Sequence, residues 1–238
     1  MIFKEEMSML IFAHRGASKA APENTVKAFK LAFEQRADGI EFDTYQHESD
    51  IIVFHDRTLT RRARESGYLL DVPWQSLTEM DIGDGERIPT LTETLNCVPK
   101  DKWCNIEIKH LRDVDSWVKD VKAAVQQSGI NAEKLLISSF NHHWLQAIAL
   151  KWPEVKIGAL SASYELDCTA SARALNAYSV NIALDAVDKQ FVQTAQQDGF
   201  DVFVYTVDEP RDMLMLNEWG VTGIFTNVPD VALSVLSH

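Results

Sequence analysis

The chain has 238 residues, of which 46% are hydrophobic and 24% are charged, a balance typical of a globular protein with a sizeable core. Acidic residues outnumber basic ones, 35 to 23, and the formal net charge is −12. Proteins that bind long nucleic acids neutralise phosphates with lysine and arginine, so we expect no nucleic-acid partner. Small anionic substrates remain possible where a few cations are concentrated, and the one basic run is Arg57–Arg64.

Several features of the sequence bear on cellular location. The longest apolar stretches, such as Met9–Ala13, are far shorter than the roughly 20 residues that a membrane-spanning helix needs. The N-terminal segment Met1–Glu6 carries acidic residues where a signal peptide has basic ones. The three cysteines match no zinc motif and indicate reduced thiols. We therefore expect a cytoplasmic protein without stable membrane insertion, whose oligomeric state the sequence leaves open.

Strand-like and helix-like segments alternate along the chain. Met9–Ala13 predicts a strand, and Glu23–Ala37, with apolar residues at helical spacing, predicts a helix. Further strands are predicted at Gly39–Tyr45, Ile51–Phe54, Trp103–Lys109, Leu135–Phe140, Val155–Leu160, Val180–Leu184, Asp201–Val207 and Val221–Thr226. Further helices are predicted at residues 74–80, 114–127, 142–150, 169–176, 188–197, 210–218 and 229–236.

This alternation predicts parallel βα units. Eight main strands can be counted if Ile51–Phe54 pairs back on the strand before it, and eight units predict a TIM-type (β/α)8 barrel. An open, doubly wound sheet is the alternative, but no glycine-rich phosphate loop follows the first strand. Because no linker-like change in composition occurs, we expect residues 1–238 to form a single barrel domain.

Two histidines stand at or near the ends of predicted strands, where barrel enzymes build their active sites. His14 is followed by Arg15, whose planar guanidinium suits phosphate oxygens, and His55 ends another apolar run. Phosphodiester cleavage needs such a pair, because one imidazole removes a proton from the attacking oxygen and the other protonates the leaving alkoxide. Other histidines are available, and a lone histidine usually carries no function: His110, His142 and His143.

Carboxylates converge on two predicted strands. Glu41 and Asp43 are two residues apart, so their side chains leave the strand on the same face. Two carboxylates held together need a proton or a cation between them, and oxygen ligands suit Mg²⁺ or Ca²⁺. Glu107 and Lys109 have the same spacing and offer a third carboxylate and a cation for the phosphate, although a salt bridge uses the same residue types. Together with Arg15 and a divalent cation, these charges balance a bound phosphodiester.

These residues belong to an ordered series of motifs: His14-Arg15-Gly16, Pro22-Glu23-Asn24-Thr25, Gly39–Asp43, His55-Asp56, Glu107-Ile108-Lys109 and Gly223–Pro229. The series resembles the glycerophosphodiester phosphodiesterase family over nearly the whole chain. The resemblance implies a TIM barrel with a small insertion after the second strand, at about residues 57–88. It also implies metal-dependent hydrolysis of glycerophosphodiesters, such as glycerophosphocholine and glycerophosphoethanolamine, to glycerol 3-phosphate and an alcohol.

The same resemblance implies a role for each matched residue. One divalent cation, Mg²⁺ or Ca²⁺ with Mn²⁺ possible, has three carboxylate ligands: Glu41, Asp43 and Glu107. The acid/base pair is His14 and His55, and we favour His14 as the base and His55 as the acid. The substrate phosphate contacts Arg15 and Lys109. Asn24 either orients groups of the site or caps the helix that follows it.

The chain departs from the family pattern at two positions and in the expected turn His47–Asp50, which lacks the usual glycine, and other functions remain open. Asn227 follows Thr226 where the family usually has an aspartate, and Tyr205 replaces an aromatic residue that is often tryptophan. The alternatives are a phosphodiesterase of the phospholipase C or D type and a non-catalytic module that binds head-group phosphodiesters. An isomerase or aldolase acting on a sugar phosphate agrees less well, because it does not need three convergent carboxylates.

Overall fold

A computed structural model of the chain describes residues 9–48 and 50–237. The acidic segment Met1–Glu6, from which we argued against a signal peptide, and Ser49 in the expected turn lie outside the described residues. Eight parallel strands close into a barrel surrounded by helices, so the predicted TIM-type fold is confirmed. Among the helices of the described ranges, none has both the length and the apolar character of a transmembrane segment.

The barrel strands are β1 (Leu10–His14), β2 (Gly39–His47), β4 (Trp103–His110), β5 (Leu135–Ser139), β6 (Lys156–Ser161), β7 (Ser179–Ala183), β8 (Asp201–Tyr205) and β9 (Gly223–Thr226). The remaining strand, β3 (Asp50–Val53), is antiparallel to β2. The helices are α1 (Val26–Glu34), α2 (Trp74–Leu77), α3 (Leu91–Leu95), α4 (Val114–Ser128), α5 (His142–Lys151), α6 (Ala170–Leu175), α7 (Lys189–Gln197), α8 (Pro210–Trp219) and α9 (Pro229–Leu236).

The pairing of β1 closes the barrel. Phe12 on this strand lies beside Gly39 of β2 on one side and beside Phe225 of β9 on the other. An open sheet has two free edges, so the doubly wound alternative is wrong. The segment predicted at Ile51–Phe54 forms β3 and extends β2 as a hairpin, as expected.

Side chains alternate between the outer and inner faces of the strands. The outward-facing residues of β2, such as Phe42, pack with the helices in the main hydrophobic core. At the amino end, the interior is filled by Phe12, Phe203 and Phe225, whose ring centroids lie 5.3–5.9 Å apart. A Cβ atom on Gly223 would lie only 2.7 Å from the Phe203 ring, so this glycine makes room for it.

Two predicted helices are shorter by at least three residues in the structure. The helix expected over Glu23–Ala37 begins at Val26, because Thr25 has extended backbone and its side chain accepts the amide hydrogen of Ala28. Thr25 is therefore the N-cap, and the possibility that Asn24 caps this helix is wrong. The helix expected at residues 74–80 is limited to Trp74–Leu77.

The segment between β3 and α3 is largely irregular but is anchored by its own apolar cluster. This second cluster contains Tyr45, Ile52, Phe54, Leu59, Leu69, Leu77, Ile82 and Ile88. The first three residues belong to the β2–β3 hairpin and its end, and the others follow later in the segment. Burial of these side chains fixes the segment against the carboxyl end of the barrel, where the polar residues lie.

Candidate active site

The predicted carboxylates meet inside the carboxyl end of the barrel. Asp43 on β2 pairs in register with Glu107 on β4, and Glu41 pairs with His14 on β1. The three carboxylates each offer an oxygen within 4.8 Å of the others. Glu41 and Asp43 are almost completely buried, and Glu107 exposes 12% of its side chain.

Two predicted phosphate-binding residues lie against these carboxylates. Arg15 Nε is 3.1 Å from Asp43 Oδ2, and the Arg15 backbone amide donates to Glu41 Oε2 at 3.1 Å. Lys109 Nζ lies 2.7 Å from Glu107 Oε1 and 3.4 Å from Asp43 Oδ1. The salt bridge considered from the sequence therefore exists, and it places Lys109 at the edge of the carboxylate cluster.

The carboxylates have more negative charge than their protein partners satisfy. Within residues 9–48 and 50–237, Glu41 Oε1 and Asp43 Oδ1 are buried and accept no hydrogen bond, although Lys109 Nζ lies 3.4 Å from Asp43 Oδ1. A buried polar atom without a partner costs free energy, and the cost is larger for a charged group. A cation among the three carboxylates would remove this cost, and the all-oxygen donor set fits Mg²⁺, Ca²⁺ or Mn²⁺.

The pKa values of the three carboxyl groups reflect the same excess of negative charge. Burial, with the charges of Asp43 and Glu107, raises the pKa of Glu41 well above its usual range. Burial and the charge of Asp43 raise the pKa of Glu107 to about 7. Burial alone would also raise the pKa of Asp43, but the charges of Arg15 and Lys109 lower it. The protein's own cations therefore stabilise one carboxylate well and leave the other two without full compensation.

Asn24 holds Asp43, the carboxylate whose charge the protein neutralises best, in place. Its Nδ2 donates to Asp43 Oδ2 at 2.8 Å, and its Oδ1 accepts from the Asp43 backbone amide at 3.4 Å. Asn24 has φ of 57°, a left-handed conformation that asparagine tolerates better than most residues. Of the two roles considered for Asn24, the structure shows contact with the site.

His14 is oriented by an asparagine from the other end of the chain. Its Nδ1 lies 2.8 Å from Asn227 Oδ1. The amide orientation follows from Asp208, which accepts a hydrogen from Asn227 Nδ2 at 2.7 Å. Because the amide oxygen must then accept from His14, the imidazole carries its proton on Nδ1 and leaves Nε2 free.

The surroundings of His14 also keep it uncharged. Burial, together with the charge of Arg15, lowers the pKa of His14 to about 4. Its Nε2 lies 3.9 Å from Glu41 Oε2, at the edge of the carboxylate cluster. At neutral pH the free nitrogen can therefore accept a proton. Neither Asp208 nor a contact between Asn227 and His14 was predicted, because both depend on pairing between distant parts of the chain.

His55 has a charged partner instead of an amide. Its Nδ1 lies 2.7 Å from Asp56 Oδ1, and its backbone carbonyl accepts a hydrogen bond from the Tyr45 hydroxyl at 3.1 Å. The carboxylate oxygen must accept, so Nδ1 carries a proton here too and Nε2 is free to face a ligand. Both histidines thus carry a proton on Nδ1, but they differ in the charge of the group behind them.

The three other histidines considered from the sequence lie elsewhere. His142 Nε2 lies 2.9 Å from the carbonyl oxygen of Leu160, and the His110 ring stacks on Tyr45 with centroids 6.3 Å apart. His143 is exposed on α5. None of the three belongs to the carboxylate cluster.

Sequence reasoning gave no role to Glu23, Arg61 or Arg62, which the structure brings to the site. Glu23 accepts from Arg15 Nη1 at 3.1 Å, from Arg61 Nη2 at 2.6 Å and also from Arg62. Arg61 and Arg62 belong to the single basic run of the sequence. The run predicted local positive charge, but it did not predict that Arg61 and Arg62 both contact the buried Glu23.

The chain is similar to known proteins over nearly its whole length. Residues 14–231 match the model of the glycerophosphoryl diester phosphodiesterase family. A glycerophosphodiester phosphodiesterase of Caldanaerobacter subterraneus is 33% identical over 97% of this chain and 98% of the relative. A Bacillus subtilis glycerophosphodiester phosphodiesterase is 28% identical over 94% of this chain and 85% of the relative.

Solved structures agree with the sequence relatives. An Oleispira antarctica phosphodiesterase, solved in complex with the product sn-glycerol-3-phosphate, has a TM-score of 0.89 and 25% identity, covering 97% of this chain and 98% of that one. A Galdieria sulphuraria structure described as a putative glycerophosphodiester phosphodiesterase has a TM-score of 0.88 and 25% identity, covering 99% and 100%.

Proposed function

The chain belongs to the glycerophosphoryl diester phosphodiesterase family and is an enzyme of that type, and on this premise we propose a cation-dependent hydrolysis of soluble glycerophosphodiesters. The proposed substrates include glycerophosphocholine and glycerophosphoethanolamine, and the products are glycerol 3-phosphate and an alcohol. The observation that carries the proposal is the group of three convergent carboxylates, two of which have a buried oxygen that accepts no hydrogen bond, together with two histidines whose Nε2 atoms are free. The sn-glycerol-3-phosphate bound to the Oleispira enzyme supports the proposed product.

In this proposal Glu41, Asp43 and Glu107 hold one Mg²⁺, Ca²⁺ or Mn²⁺ ion. When bound, the cation supplies the positive charge that stabilises the phosphate and the charge that develops on it during cleavage. The three carboxylates exceed Arg15 and Lys109 by one negative charge, so the protein residues alone would repel a phosphodiester. With a divalent cation the site has one positive charge, which matches the single negative charge of the substrate.

The different partners of the two histidines support different roles. The neutral amide of Asn227 and the low pKa of His14 keep its Nε2 ready to accept a proton, so we assign His14 as the base. The carboxylate of Asp56 stabilises an imidazolium better than an amide does, so we assign His55 as the acid. His14 then takes the proton of the attacking oxygen, and His55 Nε2 donates a proton to the leaving alkoxide.

The attacking oxygen in this proposal belongs either to water or to the free glycerol hydroxyl, which would close a transient cyclic phosphate. Arg15 and Lys109 bind the phosphate in both cases, because each lies within 3.5 Å of Asp43 at the edge of the carboxylate cluster. We also propose that residues 1–238 form one domain, that about residues 57–88 are its insertion, and that the protein acts in the cytoplasm on small molecules.

The test is release of glycerol 3-phosphate by purified protein, measured after EDTA treatment and again after addition of Mg²⁺, Ca²⁺ or Mn²⁺. We expect chelation to abolish release from glycerophosphocholine and glycerophosphoethanolamine and at least one cation to restore it. Undiminished release in EDTA would contradict the cation requirement. Binding of the diester without release under any cation would favour the non-catalytic module, and faster cleavage of a lysophospholipid would favour an enzyme of the phospholipase type.

A further inference from the structure

Arg61 lies in the segment between β3 and α3 and forms ion pairs with two carboxylates of the site, Asp56 and Glu23. Its Nε donates to Asp56 Oδ2 at 2.6 Å, and its Nη2 donates to Asp56 Oδ1 at 2.9 Å. The same guanidinium donates to both oxygens of Glu23, at 2.9 Å and 2.6 Å. One side chain thus holds the carboxylate behind His55 and the carboxylate that contacts Arg15.

The two carboxylates depend on Arg61 to different degrees. Glu23 has two further partners, Arg15 and Arg62, so it stays paired without Arg61. Among the described residues, Asp56 has hydrogen bonds only from His55 and Arg61. Without Arg61, the hydrogen bond to His55 would be the single contact among the described residues that holds Asp56 in the rotamer that meets the imidazole.

The backbone around Arg61 is itself fixed. Leu59 is fully buried in the second apolar cluster, and its carbonyl accepts the Ala63 amide hydrogen at 2.9 Å. The Leu59 amide donates to Gly67 at 3.1 Å, and the Leu69 amide donates to Arg57 at 2.9 Å. These contacts close a compact loop on both sides of Arg61, so the backbone that carries this side chain is held in position although 45% of the side chain itself is exposed.

We propose that Arg61 is a positioning residue for the acid step, holding Asp56 so that the carboxylate aims His55 Nε2 at the leaving oxygen. The proposal rests on the acid role proposed for His55 and gives the segment between β3 and α3 a part in catalysis. An arginine suits this task, because its planar guanidinium makes two hydrogen bonds to each carboxylate in a fixed geometry, which the ammonium of a lysine does not reproduce. A displacement of about 1 Å in a reacting group can cost about 100-fold in rate.

The test is a double-mutant cycle on the metal-loaded, full-length protein, with kcat and KM for release of glycerol 3-phosphate as readouts. R61A should lower kcat about 10- to 100-fold and leave KM within about threefold of wild type. If Arg61 acts through His55, R61A in the H55A background should change the residual kcat by less than about threefold. R61K keeps the charge and the alkyl stem, so it serves as the second variant if R61A does not fold. Its kcat should still be at least about fivefold lower than that of wild type.

Two arginine variants separate the proposed role from general loss of charge. R62A removes a contact to Glu23 but none to Asp56, and it should lower kcat less than R61A does. R87A removes an exposed pair with Glu93 outside the site and should leave activity unchanged. Equal losses of kcat in the wild-type and H55A backgrounds, or near wild-type activity of both R61A and R61K, would overturn the role of Arg61. Near wild-type activity of H55A would instead overturn the proposed acid, so the two failures are distinguishable.

Discussion

The two ends of the barrel interior are built from the same strands but have opposite energetic character. At the amino end, Phe12 and Phe203 are completely buried and pack edge to face, with ring centroids 5.5 Å apart. Two residues further along β1 and β2, the inward positions are His14 and Glu41. There the interior contains three carboxylates, and within the described residues two of their oxygens accept no hydrogen bond.

This difference shows how the fold divides stability from function. Close-packed aromatic side chains gain free energy from burial and from ring contacts, and they leave no polar group unpaired. The carboxyl end keeps charges that destabilise the folded protein until a ligand compensates them. Changes at the carboxyl end should therefore affect activity more than stability, and changes at the amino end should do the reverse.

The largest expected effect is on activity and follows from H14A. Removing the proposed base should lower kcat about 100- to 10,000-fold, because that is the usual contribution of an acid–base group. The free energy of unfolding should change by no more than about 1 kcal/mol, as judged by urea denaturation. H143A is the matched control, since His143 is exposed on α5 and should leave both quantities unchanged. Activity of H14A within a few fold of wild type would contradict the assignment.

The converse variant is F203A, at the amino end. Truncating this fully buried ring should reduce the free energy of unfolding by about 3–5 kcal/mol, because it opens a cavity beside Phe12 and Phe225. The kcat of the folded fraction should stay within a few fold of wild type at low temperature. L150A is the control, because Leu150 is 80% exposed and its loss should cost less than about 0.5 kcal/mol. A large fall in kcat of folded F203A would mean that the two ends are not separable.

A smaller effect is expected for Glu23, which forms ion pairs with three arginines at the edge of the site. Burial alone would raise the pKa of Glu23, but hydrogen bonds from Arg61 and Arg62 hold it well below its usual 4.5. Because the folded pKa is lowered, the stability due to ionised Glu23 is present above pH 4.5 and is lost as pH falls below it. E23Q should therefore be less stable than wild type by about 2 kcal/mol at pH 7, and this difference should shrink on acidification. A difference that did not vary with pH would exclude this linkage.

The smallest expected effect has the opposite sign. E107Q removes one of three competing carboxylates while Lys109 keeps Asp43 as a partner. In the presence of a chelator, the variant should be more stable than wild type by about 0.5–2 kcal/mol, the usual range for a single stabilising substitution. Urea denaturation of the two proteins in EDTA measures this difference. A loss of stability of similar size would show that the carboxylates do not destabilise the cation-free protein.

Local patterns explain what the sequence could predict. The alternation of side chains along a strand is a property of a few neighbouring residues, so Glu41 and Asp43 could be assigned to one face before the structure was known. The order of strands and helices gave the barrel for the same reason, since each unit is visible in its own segment. The end of the barrel at which these carboxylates lie then follows from strand direction.

The features that the sequence did not predict depend on contacts between residues far apart along the chain or on an unusual backbone conformation. His14 and Asn227 are 213 residues apart along the chain, and the amide orientation is set by Asp208 in a loop. Thr25, not Asn24, caps the first helix because Asn24 takes a left-handed conformation to reach Asp43. Arg61 lies in a basic run that predicts exposed charge, and its contacts with Asp56 and Glu23 depend on the conformation of the loop that carries it.

The most direct test of this account is the melting temperature of the wild-type protein in EDTA and after saturation with Mg²⁺, Ca²⁺ or Mn²⁺. A cation held by the three carboxylates at about 100 times its Kd should raise Tm by roughly 5–10 °C for a chain of this size. F203A should keep this shift and E107Q should lose most of it. If no divalent cation raised the melting temperature, the carboxyl end would not be a site that a cation completes.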